Sequence, residues 1–398
     1  MTDQTAPIGE TPAPEAKSTE QSRTARRIIG FDIARAFAIF GMITVNYRST
    51  FHITGESPAW LETASGMVNG RAAALFVLLA GIGISLLSRQ SRLSGERADI
   101  REDRFNLLRR AAFLLAIGLL FRQIWEYDIL HFYGIYLMIA AVLLTVSNRN
   151  LAIAGFLAAA VFPILYYVLP AQYGISFWAT TSEFTVREVL IDFFFQGYHP
   201  VMPWVTFMIA GMLLGRLDLN DPAIRRKMLI GGILLALAAE AIAYVALDMG
   251  LFKLMEDVSQ TIDLEEASIL LSTAPYPPMP LFVAVGIGWG MAIVSLCLSF
   301  GDRFAERRWI TPFVHTGQLA LTIYILHGTI GVWVVGWAGY KPHQTLVWII
   351  GYSALFYIAM IIASMLWRRR FDRGPVEAIM RRLTDSWKSE INPEPRGN

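Results

Sequence analysis

The sequence predicts an all-α, polytopic membrane helix bundle of about ten transmembrane helices, with both termini on the cytoplasmic side. Three observations carry that expectation. Hydrophobic residues make up 55% of the 398, the mean hydropathy is +0.45, and only 17% are charged, below the roughly 25% of soluble domains. Apolar runs of the roughly 20 residues that cross a bilayer recur along nearly the whole chain. Lysine and arginine gather in alternate connecting segments, as the positive charge of cytoplasmic loops requires.

The first 25 residues are polar and rich in Pro, Thr and Glu. Lacking an apolar core and a cleavage pattern, they are expected to form a disordered cytoplasmic tail and not a signal peptide. A membrane domain over 26–370 follows, with spans near 29–49, 70–88, 107–122, 129–147, 151–169, 200–216, 228–248, 279–300, 317–338 and 345–367, and a cytoplasmic tail over 371–398. With the N-terminus inside, 27 of the 34 basic residues fall on inner segments and six on outer ones; Arg35 lies within the first span.

Two outer connections are long. The first, 170–199, contains TVREVLIDFFF, which reads as an interfacial or re-entrant helix. The second, 249–278, carries Glu256, Asp257, Asp263, Glu265 and Glu266, either a solvated helix face or a lid attractive to a cationic acceptor. Small residues paired at i, i+4 (Gly81 with Ser85, Gly211 with Gly215, Gly286 with Gly290) favour close helix contacts. The glycines of GIGIS and GIGWG sit in apolar runs with no strand before them, which argues against a dinucleotide loop. The single cysteine, Cys297, is expected to be a core residue. Six histidines (52, 131, 199, 315, 327, 343) show no i, i+4 pair, and no metal site is expected.

The first span is the informative one. It reads IGFDIARAFAIFGMITVNY and keeps Asp32, Arg35 and Asn46, although a charge at membrane depth costs at least roughly 2.5–3.5 kcal/mol. Asp32 lies one turn before Arg35, close enough to pair with it. Arg35 and Asn46, eleven positions apart, share one helix face to within about 20°. Such polar groups almost always face a bundle interior or a wet cavity. Two histidines join them in later spans: His131 opens the fourth, and His327 lies within the ninth.

Asp32, Arg35, Ala36 and Asn46 in this order resemble the first helix of the transmembrane acyltransferase superfamily. The nearest match is the heparan-α-glucosaminide N-acetyltransferase-like catalytic domain with its YeiB-like relatives. RAAALFVLLAGIGISLLSRQ, DILHFYGIYLMIAAVLL, PWVTFMIAGMLLGR and GQLALTIYILHGTIG resemble later segments of that family, in order, over about residues 26–340. A related branch carries histidine where Asn46 stands, so this chain falls on the asparagine side. Ala36 replaces the usual glycine, and the segment between Asn46 and His52 is short.

The resemblance implies an enzyme of the plasma (inner) membrane that moves an acyl group from cytosolic acyl-CoA. Acetyl-CoA is the expected donor, and a glycan-like amine or hydroxyl at the outer face the acceptor. It implies His52 as the counterpart of the family's catalytic histidine, beside Asn46, with His131 and His327 as further candidates. Asp32, Arg35, Arg109 and Arg110 are expected to serve acyl-CoA, the arginines through its phosphates. Expected partners are membrane lipid, acyl-CoA and the acceptor, with a second copy of the chain as an option; nucleic acid is not among them. The rival reading is a small-molecule transporter, or a non-catalytic membrane protein of the same fold. Transporters usually show paired halves with broken helices, and no repeat links 26–216 with 228–367.

Overall fold

The first helix, α1 (Ile29–Thr50), runs through the middle of the bundle. In the computed structural model, which describes residues 28–175, 177, 185–247, 268–339 and 343–391, it is followed by α2 (Ala59–Val68), α3 (Arg71–Leu87), α4 (Arg89–Ser94), α5 (Arg97–Arg122), α6 (Leu130–Leu143), α7 (Asn148–Tyr173), α8 (Val186–Phe194), α9 (Val201–Leu214), α10 (Pro222–Leu247) and α11 (Pro280–Phe304). Then come α12 (Thr311–Gln318), α13 (Ala320–Leu326), a π-helical turn (His327–Gly331), α14 (Val332–Trp337), α15 (Leu346–Trp367) and α16 (Pro375–Ile391). No strand occurs among the described residues beyond one isolated bridge, Ile53 to Gln344. The polar first 25 residues, the five carboxylates between 256 and 266, and Lys341 lie outside the described residues.

Among the described residues, seven helical segments are long and apolar enough to cross a membrane. The other three expected spans correspond to α6 and α9, each 14 residues and apolar, and to the second half of α5. The polar stretch RADIREDRFN continues into the apolar one without a break, so α5 is a single helix of 26 residues. The end of the bundle that holds Ile29 is termed the proximal face, and the end that holds Thr50 the distal face.

Helices approach where side chains are small, because lipid tails give apolar faces no drive to associate. Gly81 on α3 and Gly211 on α9 lie against each other's backbones, where a Cβ on either would collide with main-chain atoms. Ser85 hydroxyl donates to the Met212 carbonyl at 2.7 Å beside them. On α10 the buried stripe Gly232, Ala236, Ala239 and Ala243 faces α11. Helices end on identifiable chemistry. Ser147 and Thr345 side chains accept from the first turns of α7 and α15. Thr185 and Glu188 form a capping box on α8, inside the connection expected to hold an interfacial helix.

Several basic residues of the proximal face close helix ends. Arg92 donates to the Ser85 carbonyl at 2.8 Å, and Arg216 to those of Val146 and Leu144 at 2.7 and 3.1 Å. Arginines near helix C-termini satisfy carbonyls that the helix itself leaves open. Charge clustering at this face is therefore partly architectural.

Candidate functional site

Near the distal end of α1 a buried polar chain crosses the bundle. Asn46 Nδ2 lies 2.9 Å from His327 Nε2. The other ring nitrogen of His327, Nδ1, faces the Tyr324 carbonyl. A carbonyl only accepts, so Nδ1 carries the proton and Nε2 presents its lone pair to the Asn46 amide. The Tyr324 hydroxyl accepts from Ile129 N–H at 3.1 Å and donates to Asp128 Oδ1 at 3.3 Å. Asp128 Oδ2 accepts from His131 Nδ1 at 2.9 Å and from His131 N–H at 3.2 Å. Asp128, His131 and His327 are each at most 1% exposed.

The local backbone at His327 is shaped for this contact. Between α13 and α14 the helix widens into the π-helical turn, a feature that frequently marks functional sites. Its loosened carbonyls find partners on neighbouring helices: Tyr47 hydroxyl donates to the His327 carbonyl at 3.3 Å and Tyr352 hydroxyl to that of Gly331 at 2.5 Å. Gly331 is required here, since a Cβ would fall on the Tyr47 hydroxyl. Trp125 lies edge-on to the His327 ring, 5.0 Å between centroids.

A narrow slot reaches Asn46 between Met42, Val45, Ala72, Ala73, Ile129, Tyr324 and His199, with Tyr127 and Tyr276 also lining it. Its free interior is about 20 Å³, room for little more than one water. His199, in the connection before α9, is buried, and its Nδ1 has no hydrogen-bond partner. Burial, reinforced by nearby His131, pushes the His199 imidazole down to about 3, so it is neutral at physiological pH. Burial raises the Tyr127 and Tyr276 phenols, with Tyr198 adding to each. Tyr198 bridges their rings, with centroids 4.9 Å from Tyr127 and 5.3 Å from Tyr276.

The proximal face holds a separate, roomier vestibule. Two adjoining cavities of about 260 Å³ each share Ile84, Leu87, Leu107 and Arg110. Arg35 and Tyr133 line one, and Asp103 and Arg381 the other. Arg35 pairs with Asp32 at 2.7 Å, the contact that their spacing implies, and Gln318 Nε2 also donates to Asp32 at 3.3 Å. Arg109 turns away from the cavities: it donates to the Thr384 carbonyl at 3.3 Å and covers the Phe105 ring.

Of the sequence candidates, the structure thus joins Asn46 and His327 directly and reaches His131 through Tyr324 and Asp128. It sets Arg35 with Arg110 at the vestibule. It does not bring His52 to Asn46. After α1 the chain turns with His52 at φ 37°, and Ile53 bridges Gln344. The His52 ring is exposed and faces His343, 5.8 Å away. Asp128 and Tyr324 were not among the sequence candidates, and each stands three positions before a histidine that was. His199 entered the sequence reading only as one of the six histidines.

These features define a multi-pass membrane protein with a buried polar centre and no group of three or more potential metal ligands among the described residues. Residues 27–244, more than half of the chain, match the family model described as "Heparan-alpha-glucosaminide N-acetyltransferase, catalytic", and the chain belongs to that family. Residues 214–386 match a second model, "Protein of unknown function (DUF418)". No curated protein matches the chain.

Proposed function

We propose that this protein is a membrane acetyltransferase of the plasma (inner) membrane, with its proximal face in the cytoplasm. Acetyl-CoA is the donor, and an amine or hydroxyl of a glycan-like molecule at the distal face is the acceptor. The observation that carries this reading is the Asn46–His327 contact at 2.9 Å, which sets an amide donor on the wall of the slot beside a buried, neutral imidazole.

The neutral imidazole of His327 holds a lone pair at Nε2, fixed by the Tyr324 carbonyl behind it. The acceptor N–H or O–H takes the place of Asn46 at Nε2, and His327 draws its proton as the acceptor attacks the thioester carbon. Freed to turn toward the carbonyl oxygen, the Asn46 amide donates to the oxyanion that forms. Collapse then breaks the C–S bond, and the thiolate of CoA takes up the proton. Asp128, through Tyr324, holds the residue behind His327 in place. Arg35, Arg110 and Arg381 give the vestibule a positive lining suited to the phosphates of CoA.

The test uses the purified full chain in detergent. Acetyl-CoA should bind, and free CoA should appear when glucosamine is added as the probe acceptor. Donor binding without CoA release for glucosamine or any other amine or hydroxyl acceptor would overturn the enzymatic reading.

A further inference from the structure

On the opposite side of α1 from the slot, a second concavity opens between α1, α2, α3, α11 and α15. Its volume is about 520 Å³, within the roughly 300–1,000 Å³ typical of ligand sites. Phe37 and Thr44 on α1, Ala64 on α2, and Trp289 and Ile293 on α11 form much of its lining, which is almost wholly carbon. These positions lie along membrane-spanning helices, so the medium against the groove is hydrocarbon. A convex helix face would hold lipid only loosely, whereas a concave one fits a single molecule.

The distal end of the groove is polar. Arg71 lines it, with Nη2 on Glu240 at 2.6 Å and Nη1 directed at the Gly66 carbonyl at 3.4 Å. Its Nε–H is buried without an acceptor, an arrangement that is costly unless a ligand supplies one. Arg48 donates to Ser65 at 2.8 Å and so holds α2 as the roof. Ala72 lines both this groove and the slot, so a thin wall separates the two.

We propose that the groove binds one glycerophospholipid of the distal leaflet, its acyl chain along Phe37, Thr44 and Ile293 and a phosphate oxygen accepting the Arg71 Nε–H. A guanidinium is well matched to phosphate oxygen. The site stands on its own observations and does not depend on the acyl-transfer reading.

Native mass spectrometry of the delipidated full chain tests it, with dioleoylphosphatidylglycerol and dioleoylglycerol as probes. Wild type should bind one phosphatidylglycerol per chain, about tenfold more tightly than the diacylglycerol that lacks phosphate. Thr44→Phe and Ala64→Trp, which fill the groove from two sides, should each weaken both lipids about tenfold or more. Arg71→Met should remove the preference for phosphate, while Glu240→Gln keeps it and so separates lipid binding from the ion pair. Equal affinity for the two lipids, or wild-type affinity in both groove-filling variants, would overturn the proposal.

Discussion

Asn46 and His327 stand 281 positions apart in the chain and meet side chain to side chain at 2.9 Å. This contact ties the polar face of α1 to the one π-helical turn among the described residues, and Asn46 lines the distal slot. Asn46→Ala should therefore act on two levels. It strands the buried Nε2 of His327, which destabilises the fold by roughly 1–3 kcal/mol. It also removes an oxyanion donor, lowering transfer by about 10²–10³-fold. Thermal unfolding and CoA release, measured on one preparation, check both; wild-type turnover would remove Asn46 from the reaction.

Tyr324 links two parts of the site through one oxygen. Tyr324→Phe deletes the acceptor of the Ile129 N–H and the donor to Asp128, both buried. The expected loss is roughly 1–3 kcal/mol of stability, with donor affinity unchanged because the vestibule is untouched. An unshifted melting temperature would show that Asp128 is held by His131 alone.

Acid should destabilise the protein through His199. Its imidazole is held at about 3 in the folded chain and titrates near 6.5 when unfolded. Between those values the unfolded chain binds the extra proton, so stability is full above about pH 6.5 and falls as pH drops toward 3. Wild type should lose more melting temperature between pH 7.5 and 5 than His199→Gln. Equal losses would mean that another group sets the acid sensitivity.

The vestibule arginines divide by what they touch. Arg110 lines both cavities, whereas Arg109 is spent on Thr384 and Phe105. Arg110→Ala should raise the dissociation constant for acetyl-CoA, and Arg109→Ala should leave it unchanged while loosening α16. Isothermal titration with acetyl-CoA distinguishes them; equal effects would assign both to topology.

Local features of the site were legible in the sequence because they depend on spacing within one helix. Asp32 pairs with Arg35 one turn away, and Asn46 shares the Arg35 face, as 100° per residue dictates. The partner of Asn46 was not legible, since no local period connects it with His327. The family resemblance instead pointed to His52, six positions beyond Asn46. What turned that residue outward is the left-handed turn after α1 and the bridge from Ile53 to Gln344, a contact with a segment almost 300 positions away. The slot likewise needs Tyr276 and His199, which arrive from two separate connections. Spans such as α6 and α9 were legible as apolar runs, but not their shortness.

The most direct measurement compares acetyl transfer by wild type, His327→Ala and His52→Ala, followed as free CoA released from acetyl-CoA in the presence of glucosamine. Donor binding is confirmed for each variant beforehand. If His327 is the base, its alanine variant loses about 10²–10⁴-fold in rate with donor affinity retained, and His52→Ala turns over like wild type. Full activity in His327→Ala together with loss in His52→Ala would contradict the assignment and move the chemistry to the exposed turn beyond α1.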